Sequence, residues 1–339
     1  MKSQNNEKNL LKNTAVMSLA RTIANDIGGT MKAMQLSNAT GGATLVEVDV
    51  TKPIPGQGEI LVQVRAAGVI HTELVWYPTT HTKTGEPRTG AVPGHEFSGV
   101  VAAVGDGVTG IHVGQEIYGM NDWFAEGATA EYCITLPGSI AAKPNSLTHI
   151  EAASVPISAL TAWQGLFDRA KLQPGERVLV HGGAGAVGIF VVQLARSQGA
   201  HVIATASEHD LAFVSGLGAD EVIDYRKERF EDRVGKVDIV FDTVGGETLQ
   251  RSWGVLESEG RMVTIASDVE GADDPKLKAA FFIVEPNRNQ LNEVARMLDA
   301  GSLRTYVGAT VPLERAEEAY AGGHGLKSGP GKVVVVVSE

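Results

Sequence analysis

The pattern of apolar and polar positions changes character near Pro156. Between Met31 and Pro156, short apolar or alternating runs are separated by glycine and proline turns. Many short strands of this kind predict a compact, partly open β-barrel. The runs that predict strands are residues 32–36, 45–49, 59–67, 99–105, 117–119 and 130–134.

After Pro156, apolar runs of strand length alternate with segments of helical period, which predicts a doubly wound parallel α/β sheet. The predicted strands are residues 177–181, 201–205, 221–224, 237–242, 261–265 and 280–284, and the predicted helices are 159–168, 184–198, 208–217 and 287–300. Six strands would complete a dinucleotide-binding fold. The valine-rich run 332–337 predicts a strand that returns to the barrel.

These patterns predict three regions in the chain. Residues 1–30 begin with a polar stretch rich in Asn and Lys and are expected to form a flexible extension. Residues 31–155 together with 287–339 should form the barrel domain, which would hold the substrate. Residues 156–286 should form the doubly wound domain.

A glycine cluster follows the predicted strand at residues 177–181. Its spacing, Gly183-x-Gly185-x-x-Gly188, is that of the dinucleotide fingerprint, and an apolar helical segment follows directly. The glycines allow a tight turn and a close backbone approach to a pyrophosphate, and the helix N-terminus offers unpaired N–H groups to it. A dinucleotide should therefore contact Gly183, Ala184, Gly185, Ala186, Val187 and Gly188.

Composition narrows the possible partners and the location. The net charge of −11 argues against nucleic acid or an anionic membrane surface as a partner. No apolar run approaches the ~20 residues that span a bilayer, and the one cysteine excludes a disulfide framework within the chain. Residues 10–27 could form an amphipathic helix, so a mitochondrial presequence is the alternative, but Glu7 and Asp26 favour a cytoplasmic protein.

The end of the second strand of the doubly wound sheet bears on the choice between NAD and NADP. An NAD-specific protein carries an acidic residue there to hold the ribose 2′-hydroxyl, and Ala206 occupies the matching position. Ser207 can donate a hydrogen bond, and Tyr225 and Arg226 end the neighbouring strand. The neighbouring Glu208 argues in the other direction, because a carboxylate repels a phosphate. The sequence favours NADP.

Five motifs together resemble those of the medium-chain dehydrogenase/reductase superfamily, and the resemblance runs from Met31 to the end of the chain. They are Gly68-Val-Ile-His-Thr-Glu73, Gly94-His-Glu-Phe-Ser-Gly99, Ala159-Leu-Thr-Ala-Trp163, the residues 182–188 and the residues 218–225. The resemblance implies a GroES-like barrel and a Rossmann domain. Within the superfamily the chain is most similar to the zinc-independent quinone oxidoreductases, which bind NADPH and reduce quinones or activated alkenes.

The residues at the family's zinc positions support that branch. Zinc-dependent members carry a cysteine where Ile70 stands and a sulfur or carboxylate ligand near Ile157. His95 and Glu96 remain, but a catalytic zinc needs about three protein ligands. No metal site is therefore expected.

The resemblance also implies the residues around the nicotinamide. Thr161 aligns with a threonine that contacts it, and backbone groups of Ala266, Ser267, Phe282, Ile283 and Val284 would hold its carboxamide. Donors for the substrate oxygen would be His71, Tyr77 and His95, of which Tyr77 is preferred, with a packing role as its alternative. Ile70 stands where many quinone oxidoreductases have asparagine, which leaves the substrate class open. Family members dimerise through the edge of the Rossmann sheet, so residues 281–284 predict a homodimer.

The sequence thus predicts a zinc-free, NADPH-dependent reductase of quinones or α,β-unsaturated carbonyls (enones). A reductase or dehydrogenase of saturated carbonyls or alcohols is the enzymatic alternative. A protein that binds NADPH without turnover is the alternative of another class.

Overall fold

The computed structural model describes residues 29–37, 44–266, 269–321 and 329–338. The predicted N-terminal extension lies almost wholly outside the described residues. The strands are β1 Thr30–Ser37, β2 Thr44–Thr51, β3 Ile60–Gly68, β4 Glu96–Val104, β5 Glu116–Met120, β6 Tyr132–Thr135, β7 Ile140–Ala142, β8 Arg177–His181, β9 His201–Ala206, β10 Glu221–Asp224, β11 Val237–Asp242, β12 Leu256–Thr264, β13 Val307–Pro312 and β14 Lys332–Val336. The α-helices are α1 Tyr77–Thr80, α2 His149–Ala153, α3 Pro156–Trp163, α4 Gly188–Ser197, α5 Leu211–Gly216, α6 Gly246–Ser252, α7 Pro275–Ala280, α8 Arg288–Asp299 and α9 Ala316–Tyr320. A 3-10 helix, His71–Val75, precedes α1, and a π-helix, Gln164–Arg169, continues α3.

The barrel is organised around β3. Strand β3 pairs antiparallel with β4, β6 and β14, in a sheet of order β13-β14-β3-β4-β5-β7 with β6 also on β3. Close pairing requires glycine at position 99, where a Cβ atom would lie 2.3 Å from the carbonyl oxygen of Gln63. The pairing of Val334 with Gly68 brings the C-terminal strand back to the barrel, as the valine-rich run predicts.

The second sheet is parallel throughout, with the order β10-β9-β8-β11-β12. Its central strand β8 is apolar on both faces, as expected for a sheet with helices on both sides. Val178 and Val180 face one cluster of buried residues, and Leu179 faces another. Successive side chains of a strand point to opposite faces, which accounts for this division.

The prediction of a sixth strand over residues 280–284 is wrong within the described part of the chain. Helix α7 extends to Ala280, and Phe281 forms only an isolated bridge with Thr264. Side chains from other elements bond to the backbone that follows: Trp123 Nε1 donates to the Val284 carbonyl at 3.1 Å, and Gln164 bonds to both backbone groups of Glu285. Residues 281–285 therefore bond to the sheet through Thr264, to which the Phe282 N–H donates at 3.4 Å, and are otherwise held by these side chains.

A buried ion pair between Glu96 and Lys332 joins three elements. Glu96 begins β4 and is 0% exposed, and Lys332 begins β14 and is 5% exposed. Glu96 also accepts a hydrogen bond of 2.9 Å from the backbone N–H of Ile157, in the first turn of α3. Burial raises the pKa of the Glu96 carboxyl above its usual range, and the ion pair with Lys332 offsets part of that shift. The first turn of the helix that enters the doubly wound region is thus anchored on the barrel.

We predict that Lys332→Met destabilises the protein by about 3–5 kcal/mol, because it leaves Glu96 buried without its partner. Urea unfolding followed by circular dichroism measures the effect. Lys278→Met is the control. Lys278 Nζ lies 3.9 Å from Asp273 Oδ1 and both side chains are exposed, and exposed ion pairs contribute little to stability. Equal midpoints for the two variants would contradict a role of the ion pair in stability.

Candidate active site

The glycine loop at the end of β8 folds back on itself. Gly182 has a φ of 79°, and a Cβ atom on Gly188 would lie 2.1 Å from the Gly182 carbonyl oxygen, so neither position suits a larger residue. A Cβ atom on Gly185 would meet only that same oxygen, at 3.2 Å, so the loop is open on its outer side. Helix α4 begins at Gly188. An exposed loop backbone followed by a helix N-terminus suits a pyrophosphate.

The structure places all six predicted loop residues, 183–188, at this turn, and a second segment lies against it. The backbone N–H of Gly331 donates to the Ala184 carbonyl at 3.1 Å, and Gly331 forms a bridge with Gly185. The residue after Gly331 is Lys332, so the loop and the buried ion pair are adjacent along the return strand. The sequence did not indicate this contact.

The predicted 2′-phosphate residues lie together, but a carboxylate lies among them. The backbone N–H of Tyr225 donates to the Ala206 carbonyl at 3.2 Å, which places Tyr225 and Arg226 beside Ser207. The Ser207 hydroxyl donates to Asp210 at 2.7 Å. Burial works to raise the pKa of Asp210, but the bond from Ser207 and the nearby cations outweigh it and lower that pKa. Asp210 is therefore ionised at neutral pH, and sequence reasoning missed it.

Most side chains at the family's zinc positions lack a free donor atom. Ile70 and Ile157 offer no donor atoms, and Glu96 is bonded to Lys332 and to the backbone of Ile157. His95 Nδ1 lies 2.5 Å from Glu73 Oε1, so that nitrogen is also engaged. Across the residues that the structure describes, no group of three or more His, Cys, Asp or Glu side chains could hold a metal ion.

His95 is buried and belongs to a cluster around Trp123, in which Trp123 and Trp76 are partly buried. The imidazole centroid lies 5.3 Å from the Trp123 ring, and the Trp76 ring packs edge-on at 5.4 Å against the same ring. His95 Nε2 and Trp76 Nε1 are both buried and have no hydrogen-bond partner in the described part of the chain. A buried polar group left unpaired costs about 1–3 kcal/mol, so these two atoms are candidates to contact a ligand.

Glu73 controls the charge of this cluster. Burial works to lower the pKa of His95, but the adjacent Glu73 carboxylate outweighs it, so the pKa is raised. The backbone carbonyl of Ala125 also raises the pKa of His95, although its geometry does not make it a hydrogen-bond partner of Nε2. The positive charge of Arg88 lowers that pKa. Sequence reasoning missed both Glu73 and Trp76. The signal that could have found Glu73 is its place two residues after His71 in the Gly68–Glu73 motif.

The other two predicted donors lie nearer the surface. Tyr77 begins α1, is 52% exposed, and stacks on His81 with ring centroids 4.6 Å apart. His71 begins the 3-10 helix and is exposed. Of the three predicted donors, the structure therefore places only His95 in the cluster around Trp123.

The residues predicted for the nicotinamide end are only partly described. The Thr161 hydroxyl is buried and donates to the Ile157 carbonyl at 2.6 Å, which leaves its oxygen lone pairs as acceptors. Ala266, Phe282 and Val284 are buried and Ile283 is 51% exposed. The Val284 carbonyl already accepts from Trp123. Ser267 lies outside the described residues.

A surface cleft of about 540 Å³ contains none of the predicted site residues, but its lining includes Arg88, Asp122 and Ala125, which interact with His95. Within the described ranges, no helix is long and apolar enough to cross a membrane.

Two family matches cover most of the chain. Residues 56–145 match the family described as alcohol dehydrogenase GroES-like domain, and residues 217–335 match the family described as zinc-binding dehydrogenase. Among curated proteins, the chain is 30% identical over 329 residues to a probable mitochondrial zinc-binding oxidoreductase of Arthroderma benhamiae, covering 90% of this chain and 93% of that protein. It is 32% identical to a 2-methylene-furan-3-one reductase of Solanum lycopersicum, covering 79% of this chain and 69% of that protein.

Solved structures agree with these matches. The quinone oxidoreductase of Coxiella burnetii superposes with a TM-score of 0.79 at 28% identity, covering 91% of this chain and 99% of that one. A mycobacterial protein solved in complex with NADPH superposes with a TM-score of 0.74 at 28% identity, covering 91% of this chain and 100% of that one.

Proposed function

The chain belongs to the medium-chain dehydrogenase/reductase superfamily, in its quinone oxidoreductase-like branch, and from this we propose that it is a zinc-independent, NADPH-dependent reductase of quinones or enones. Membership makes the protein an oxidoreductase. The cofactor, the absence of zinc and the substrate class are our proposal.

The observation that carries the proposal is the cluster of His95 and Trp76 where Ile70 and Ile157 provide no metal ligands. Reduction of a saturated ketone places full negative charge on one oxygen, for which zinc-dependent relatives use a metal as Lewis acid. An enone or quinone delocalises the charge, and hydrogen-bond donors in a water-poor site can stabilise it. The uncharged N–H group of Trp76 together with His95 therefore suits these acceptors.

The site's own residues would bind and orient the reactants. When bound, NADPH would supply the hydride. The outer backbone of the glycine loop and the N-terminus of α4 would hold the pyrophosphate, and Tyr225 and Arg226 would contact the 2′-phosphate. Trp123, which bonds to the Val284 carbonyl, would exclude water from the acceptor. His71, Tyr77 and His95 remain the candidate donors, and the burial of His95 favours it.

The cofactor preference rests on a balance of charges. Ala206 stands where NAD-specific proteins carry a carboxylate, so no charge at that position would repel a 2′-phosphate. The relative that was solved with NADPH also favours NADPH as the cofactor. Asp210 opposes it, and Arg226 offsets Asp210. A cytoplasmic location also remains a proposal. A relative named as mitochondrial is among the matches, and residues 1–28, where most of a presequence would lie, are outside the described part.

We expect the purified protein to oxidise NADPH with quinones and enones and to leave saturated ketones unreduced. Pretreatment with a metal chelator should not change the rate, because Ile70 and Ile157 cannot bind zinc. Absorbance of NADPH with a panel of acceptors measures both. Loss of activity on chelation with recovery on adding zinc would refute the zinc-free assignment, and NADPH binding without turnover would identify a non-catalytic binding protein.

The preference for NADPH over NADH should be at least about tenfold, or ~1.4 kcal/mol. Ala206→Asp should reverse this preference, because a carboxylate would then face the 2′-phosphate. Asp210→Asn should strengthen NADPH binding, because it removes a carboxylate from the same place. Fluorescence titration with both cofactors measures the affinities, with NADH as the internal control for folding. An unmodified protein that binds both equally would contradict the roles of Ser207 and Tyr225.

We also propose a homodimer through residues 281–284. Ile283 is 51% exposed on this extended edge segment, and pairing across a two-fold axis would cover it. Light scattering at micromolar concentration should give the mass of a dimer, and Ile283→Lys should give that of a monomer by placing two like charges at the axis. A monomeric wild type would refute this arrangement.

A further inference from the structure

Two unpaired donors flank the same tryptophan ring in the barrel. His95 Nε2 and Trp76 Nε1 both lie in side chains that pack on Trp123, at ring separations of 5.3 and 5.4 Å. The two residues come from different segments: Trp76 directly precedes α1, and His95 directly precedes β4. A fold that buries two polar atoms without partners leaves them able to bond to a ligand.

Glu73 determines which nitrogen of His95 is available. Its Oε1 accepts a hydrogen bond of 2.7 Å from the backbone N–H of Gly94 and lies 2.5 Å from His95 Nδ1. A carboxylate only accepts hydrogen bonds, so Nδ1 carries its proton toward Glu73. Nε2 is then the nitrogen that can gain or release a proton. Glu73 therefore orients the imidazole with Nε2 as its reactive atom.

We propose that His95 Nε2 and Trp76 Nε1 together bind the carbonyl oxygen of a planar enone or quinone, that His95 supplies the proton that accompanies hydride transfer, and that Glu73 is its positioning residue. The inference rests on the proposed function and deepens it by assigning the proton donor.

An enone would be reduced by transfer of a hydride to carbon and of a proton to oxygen. The β-carbon of the substrate accepts the hydride, and the electrons of the alkene shift to form a double bond between the α-carbon and the carbonyl carbon. The carbonyl π electrons move to the oxygen, which takes the proton from Nε2. The product is the neutral enol, which becomes the saturated ketone in water. His95 is left as the neutral imidazole and regains its proton from solvent.

Both atoms are covered in the structure, so neighbouring side chains must move for a substrate to reach them, and Trp123 is the ring that packs on both residues. The ring lies on the loop that follows β5, and its Nε1 donates to the Val284 carbonyl at 3.1 Å. That bond links the cover over the donors to the segment proposed to hold the nicotinamide.

The first test compares kcat for enone reduction in His95→Gln and Trp76→Phe. His95→Gln should lower kcat about 10²-fold and Trp76→Phe about tenfold, because each removes a donor at the developing negative charge, while the Kd for NADPH stays unchanged. The matched controls are His149→Gln and Trp253→Phe, which change partly buried residues of the same types outside the site and should behave as wild type. Wild-type kcat in His95→Gln would overturn the proposal.

The second test separates positioning from a merely structural role. Glu73→Gln should lower kcat in the wild-type background and have little further effect in the His95→Gln background, because Glu73 acts through His95. The charged groups that face His95 are Glu73, Arg88 and Asp122. As the proton donor, His95 should make kcat/KM fall as the pH rises through its raised pKa, and Glu73→Gln should move that fall to lower pH. Additive effects or an unmoved profile would overturn the positioning role.

The third test does not depend on turnover. 4-Nitrophenolate is a stable mimic of a planar oxyanion, and its visible absorbance reports ionisation. Wild-type protein should bind it at least tenfold more tightly than His95→Gln does, with His149→Gln as the control. If no acceptor is reduced but this difference is found, the proposed function fails and the assignment of the two donors stands. Equal or absent binding in wild type and His95→Gln would overturn the donors even if acceptors are reduced.

Discussion

The rest of the site depends on the buried ion pair between Glu96 and Lys332. Glu96 directly follows His95 at the start of β4, and Lys332 directly follows Gly331, which bonds to the glycine loop at Ala184. One pair of charges therefore sets the distance between the donor cluster and the predicted pyrophosphate loop. The cost of burying both charges is offset in part by their mutual attraction and by the N–H of Ile157.

Local pattern predicted most of the architecture, because strands and helices bury their faces with their own periods. It failed at residues 280–284, where Phe282 and Val284 are buried and Ile283 is exposed. An edge strand shows the same alternation of buried and exposed side chains. The alternation does not indicate which groups the backbone N–H and C=O groups bond to. In the structure Phe282 makes one long backbone bond, of 3.4 Å, to Thr264 of β12, while the side chain of Trp123 bonds to Val284 and that of Gln164 to the following Glu285. No local signal in the sequence distinguishes side-chain partners from a neighbouring strand.

The candidate site was predictable where its residues are adjacent along the chain and obscure where they converge from separate segments. The glycine loop is a contiguous motif, and the structure places it at the expected turn. The cluster of Glu73, Trp76, His95 and Trp123 combines three segments whose proximity only the barrel creates. Similarly, Ser207 looks free in the sequence, and only the turn after β9 brings Asp210 to its hydroxyl.

The pairing of β14 with β3 has a consequence for synthesis on the ribosome. The strand that contains Gly68 is made before the parallel sheet, but its neighbour Val334 is made after it. The parallel sheet between them has all its strands earlier and can form while the chain is still growing. The barrel is therefore begun before the parallel sheet and closed after it, and the edge of β3 that β14 will cover must avoid aggregation in the interval.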